Sequence, residues 1–153
     1  MPEKTVAKIK LELNLIDELF ASYADLLARV QTKEPDIVEK TALASVLHSF
    51  YNGIEHIFEI VAKEVDQQLP TGERWHRELL MQMAQVSENR SKVITDEQAK
   101  ILATYLGFRH FYRHSYSHFL DWDDLEKLVT PLYITWHDLR PQLQRFVDTL
   151  AEP

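Results

Sequence analysis

A chain of 153 residues, 45% of them hydrophobic and only three of them Gly, is long enough for one domain with a continuous core. The absence of cysteine excludes disulfides and thiolate metal sites and is compatible with a cytoplasmic address. A formal charge of −7 excludes a general nucleic-acid coat, because non-specific binding rests on many Lys and Arg neutralising phosphates.

The N-terminus, Met1-Pro2-Glu3-Lys4-Thr5, opens onto an amphipathic pattern and reads as neither signal peptide nor anchor, and no apolar run is long enough to cross a bilayer. From Thr5 to about Gln31 apolar residues recur at steps of three and four, which predicts a long amphipathic helix. Lys33-Glu34-Pro35-Asp36 breaks it. A second helix is expected over about Ile37 to Asp66, with Val38, Ala42, Val46, Phe50, Ile57, Val61 and Val65 on its buried stripe. The short connection makes these two antiparallel neighbours.

The second helix also carries a polar row, His48, Asn52, Glu55, His56 and Glu59. Read plainly it is a solvent face. The sharper reading turns Glu55 toward a catalytic cleft, where it orients Arg109. Gln67 to Arg74 is a turn punctuated by Pro70 and Gly72, after which Trp75 opens a short third helix with Trp75, Leu79, Met83 and Val86 on one side. His76 and Arg77 read as an exposed pair at a helix start, with a second basic contact for RNA as the lesser reading. Ser87 to Ile94 reads as a polar connection. Thr95 and Gln98 then have the spacing of a capping box that starts the fourth helix. Asp121 to Asp124 restarts a helix, and the last one steps from Leu132 to Leu150 straight through Pro141, with a kink expected there. No repeat, low-complexity tract or linker interrupts residues 1–153, so one domain is expected.

The fourth helix ends in Arg109-His110-Phe111-Tyr112-Arg113-His114-Ser115-Tyr116. From Arg109 to His118 there are two Arg, three His and no acid, a local reversal of the overall charge. Arg offers a planar charged fork that fits two phosphate oxygens, and His exchanges a proton near neutrality. RNA carries its own nucleophile in the 2′-hydroxyl. A histidine that removes that proton, beside an arginine that stabilises charge on phosphorus, suffices to cleave the strand without a metal. His110, His114 and His118 are also spaced by four, a pattern that zinc can accept with Asp121 or Asp123, although all three together would need a bent helix. No metal or other cofactor is assigned.

Arg-x4-His-x-Tyr near the end of an all-helical chain of this length resembles the signature of the HEPN superfamily, and in particular the HepT-like ribonuclease toxins paired with minimal nucleotidyltransferase antitoxins. Tyr51-Asn52-Gly53-Ile54-Glu55 is similar to a segment of the same proteins. The resemblance implies an all-α up-and-down bundle of about five helices, used as a homodimer. It further implies a metal-independent endoribonuclease of a type VII-like toxin–antitoxin pair, acting on tRNA or mRNA. His114 would be the general base, Arg109 the stabiliser of the phosphorane, and His110, Arg113, Tyr116 and Glu55 supporting groups. Tyr116 matches the tyrosine to which the nucleotidyltransferase partner adds AMP. The residue after the motif arginine is often a small amide in such proteins; here His110 takes its place, or shares the proton work with His114. The alternative of another class is a non-catalytic subunit that holds nucleotide or substrate for a nucleotidyltransferase.

On an ideal helix Arg109 and His114 lie roughly 140° apart. One straight helix does not aim both at one phosphate. Either the helix loosens near Ser115 or a second protomer completes the cleft, and the resemblance implies the latter.

Overall fold

The computed structural model describes residues 2–113, the last of these by its backbone alone, and 120–152. The described residues form α-helices and connections, as expected: α1 (Pro2–Ser22), α2 (Ala24–Arg29), α3 (Ile37–Ile60), α4 (Trp75–Met83), α5 (Asp96–Arg113), α6 (Trp122–Val129) and α7 (Leu132–Ala151). The expected first helix is divided at Tyr23, whose backbone leaves helical geometry at φ −110°, ψ 16°.

α3 is the axis of the bundle. Asp36 caps it and forms a reciprocal box with Glu39, a start signal hidden in the Lys33–Asp36 break. Arg29 of α2 reaches the same Glu39 at 2.6 Å and so closes the connection. Instead of one buried stripe, α3 packs on several sides, against α1, α4, α5 and α6. Leu43, Leu47, Phe50, Tyr51, Ile54 and Phe58 are nearly sealed from solvent, while Val38, expected on the stripe, lies exposed at the start of the helix.

Residue pairs running in opposite order show that α1 lies antiparallel to α3. Thr5 reaches Glu64, Glu12 reaches His56, Ile16 approaches Gly53, and Phe20 meets Phe50. A Cβ at Gly53 would come within 2.9 Å of Ile16 Cγ1, so the absent side chain sets how closely the two helices pack. Phe50 then ties the bundle together. Its ring lies 5.8 Å from Phe20 of α1, 6.1 Å from Trp136 of α7 and 5.4 Å from Tyr105 of α5. Tyr105 donates its hydroxyl to the Leu128 carbonyl at 2.8 Å, and burial pushes its pKa up to about 12. Asp17 of α1 accepts from both Trp136 and Arg140, which fixes α7 across α1. α7 continues as one helix through Pro141.

Beyond Ile60 the helix widens into a π turn, Val61–Asp66, and ends at Gln67 in the left-handed region, φ 56°. The widened turn delivers Asp66 to Arg90. Arg90 gives two hydrogen bonds to the Asp66 carboxylate, at 2.7 and 2.8 Å, and three more to the carbonyls of Gln82, Gln85 and Ser91. The stretch from Ser87 to Ile94 is therefore more than the polar connection expected. Arg90 lies inside it, Val93 and Ile94 are fully buried, and both of their N–H groups reach the Met83 carbonyl. Val86, expected on the buried side of α4, is instead exposed beyond the helix end. The capping box at Thr95 and Gln98 forms as read, with both bonds at 3.0 Å, and fixes the start of α5. No helix among the described residues is long and apolar enough to cross a membrane.

Candidate active site

The polar row on α3 is not one solvent face. Asn52 and His56 are exposed, whereas Glu55 is 4% exposed, because a helix packed on several sides turns that position inward. A carboxylate so buried needs partners for both oxygens. It has them: Oε1 accepts from Arg109 Nη1 at 2.6 Å, and Oε2 lies 2.7 Å from His76 Nδ1. One buried acid thus fixes two cationic or cation-forming side chains from two other helices, α4 and α5. The contacts Phe50–Tyr105 and Glu55–Arg109 lie about one turn apart along each helix, so the aromatic core sets the depth at which the ion pair forms.

Arg109 uses one of its N–H groups on Glu55, and its others make no hydrogen bond among the described residues. The Arg109 side chain is largely buried, but it lines a groove of about 350 Å³ together with Arg74, His76, Arg77 and His110. Glu73 is the one acid on that wall. In a chain of net charge −7, this is a concentrated basic surface. Its remaining lining, Ala103, Leu106 and Gly107, is the small and apolar face of α5.

His76 is held on two sides. Its Nδ1 faces Glu55, and its ring lies against Trp75 with centroids 3.7 Å apart. A carboxylate at Nδ1 makes that nitrogen the donor and leaves Nε2 as the functional end of the ring. Nε2 has no hydrogen-bond partner among the described residues. Deeper in, Tyr51 precedes Glu55 by one turn, fully buried and with its hydroxyl unbonded among the described residues. Burial, and then the Glu55 charge, push its pKa well up, against a smaller opposing effect of Arg109. That phenol stays protonated.

Of the residues singled out in the sequence, Glu55, Arg109 and His110 come together here. Arg113 is the last residue of α5, and only its backbone is described. His114, Tyr116 and His118 lie outside the described residues, and with them the proposed base, the tyrosine for modification and the three-histidine zinc reading. Among the described residues no cluster of three metal-ligating side chains occurs. His76, in the sequence an exposed pair with Arg77 or a secondary RNA contact, is instead tied to Glu55. The available signal was compositional, three basic residues within Arg74-Trp75-His76-Arg77, and it says nothing of an acid twenty-one positions earlier.

Fold and site together define an all-α bundle with a basic groove, fixed from within by a single buried carboxylate. A family model described as HepT-like protein matches residues 42–150, and the chain belongs to that family, in the HEPN superfamily. The matched span begins in α3 and includes every helix that lines the groove. Neither the search of curated proteins nor that of solved structures returns a match.

Proposed function

We propose that this chain is a metal-independent endoribonuclease, the toxin of a pair whose second member is a minimal nucleotidyltransferase. The observation that carries the reading is Arg109. It is held at one N–H by buried Glu55, while its remaining donors, unbonded among the described residues, face a phosphate's place in a groove lined by four further basic side chains. Family membership supports the class of reaction.

In this mechanism His114 removes the proton of the 2′-hydroxyl, and the resulting oxygen attacks the adjacent phosphorus. Arg109 neutralises the charge that builds on the equatorial oxygens. The upstream fragment ends in a 2′,3′-cyclic phosphate. Two protomers form the working unit, because Arg109 and His114 diverge on one straight helix and a second copy supplies the missing side. The substrate is tRNA or mRNA. The partner silences the enzyme by transferring AMP to Tyr116, which adds bulk and negative charge where the substrate phosphate binds.

The test is cleavage of a defined tRNA pool in EDTA by wild type, Arg109→Ala and His114→Ala, with assay for cyclic-phosphate ends. Cutting that survives EDTA and disappears in both variants is the expected result. Equal inertness of all three, with nucleotide or partner binding intact, replaces the enzyme with a binding subunit of a nucleotidyltransferase complex.

A further inference from the structure

Strand cleavage needs two proton transfers, and a base for the 2′-hydroxyl accounts for one. The leaving 5′-oxygen departs as an alkoxide unless an acid protonates it as the P–O5′ bond breaks. The groove contains a side chain built for that role.

We infer that His76 is the general acid of the ribonuclease, donating the proton on Nε2 to the departing 5′-oxygen. The inference rests on the ribonuclease reading above and extends it to a residue outside the Arg-x4-His-x-Tyr motif. Three observations carry it. Glu55 Oε2 lies 2.7 Å from His76 Nδ1, an arrangement that fixes the ring and makes Nδ1 the donor to the carboxylate. His76 is neither sealed nor loose: its side chain is 26% exposed and opens on the same groove as Arg109. Finally, Glu55 holds His76 and Arg109 at once, through different oxygens, so the proton donor and the phosphate-binding cation are set at a fixed separation by one rigid group.

The step balances. His114 takes the 2′-hydroxyl proton, the O2′–P bond forms, and the P–O5′ bond breaks. His76 Nε2–H passes its proton to O5′, leaving a neutral ring whose Nδ1–H stays on Glu55. The products are a 2′,3′-cyclic phosphate and a free 5′-hydroxyl. Both histidines return to their starting states by proton exchange with solvent, and no further reactant is needed. Trp75 lies against the His76 ring, centroids 3.7 Å apart, and narrows the room the ring has to turn.

The role of an acid is separable from that of a positioning group by the choice of leaving group. An oligoribonucleotide carrying the linkage that wild type cuts in tRNA is made in two forms, with the natural 5′-oxygen and with a bridging 5′-sulfur. Sulfur leaves as a stable thiolate and needs no proton. His76→Ala and His76→Gln are expected to lose on the order of 10²-fold or more in rate on the oxygen substrate, and to cut the sulfur substrate within a few-fold of wild type. His114→Ala is expected to fail on both. Gln at position 76 retains an N–H for Glu55 but has no proton to give, so activity restored by His76→Gln on the oxygen substrate would reduce His76 to a positioning residue and overturn the inference. So would equal losses of His76→Ala on the two substrates. Wild type that cuts neither form nor the tRNA pool removes the ribonuclease reading itself, an outcome distinct from either.

Discussion

Arg90 and Arg109 are each held by a buried carboxylate, but Arg90 makes five hydrogen bonds through its guanidinium and Arg109 makes one among the described residues. The first is a fully used structural clamp. The second is an anchored side chain with donors to spare. Arg90→Ala leaves Asp66 buried with only the Gln82 amide, and is expected to cost about 3–5 kcal/mol of stability. Arg109→Ala leaves Glu55 its His76 contact and is expected to cost less, while cleavage is lost. Urea denaturation of both variants checks the order, and a larger loss for Arg109→Ala would contradict it.

Gly53 is expected to tolerate no branched side chain. Val at this position must displace Ile16, whose Cγ1 would lie 2.9 Å from the new Cβ, and overpacking of this kind costs about 1–3 kcal/mol. Ile16→Ala in the same molecule makes room, so a double-mutant cycle should give a favourable coupling between the two changes. Strict additivity would mean that the helices separate without meeting resistance.

Glu39 ties stability to acidity at the start of α3. The Asp36 backbone N–H and then Arg29 hold its carboxyl below the ordinary value of 4.5. Because the folded value is the lower one, the contribution is present above pH 4.5 and lost as pH falls below it. Glu39→Gln should therefore lower the urea midpoint at neutral pH, with the gap to wild type closing in acid. A gap that is constant with pH would show that the charge contributes nothing.

The basic wall of the groove predicts a small but definite salt dependence of RNA binding. Each phosphate contact on single strands contributes roughly 0.7 to the slope of log affinity against log salt. Arg74→Ala combined with Arg77→Ala should reduce that slope by about 1.4 and weaken different RNA sequences alike. Binding measured by fluorescence anisotropy over a salt series decides this. An unchanged slope would place the RNA elsewhere.

The helices were legible because their signals are local. Thr95 and Gln98 speak to each other across three positions, and a step of three or four residues shows an amphipathic face. Glu55 was legible only as one of two readings, since a helix packed on several sides has no stripe to distinguish inward from outward polar residues. The Asp66–Arg90 pair was not legible, because the widened turn that aims Asp66 changes the helical count and leaves no trace in residue type. His76 failed for a different reason. What matters about it is a partner on another helix, and its exposure next to Arg77 is what any surface pair would show.

The π turn at Val61–Asp66 also makes the number of residues a constraint in its own right. Rewinding these six residues as ordinary α-helix with their number unchanged would swing Asp66 about 100° away from Arg90. Length variation among relatives should therefore be tolerated in the open turn from Gln67 to Arg74, and in the six residues before it only as loss of the one residue that the wide turn accommodates. The bundle is specified at this point by arithmetic as much as by chemistry.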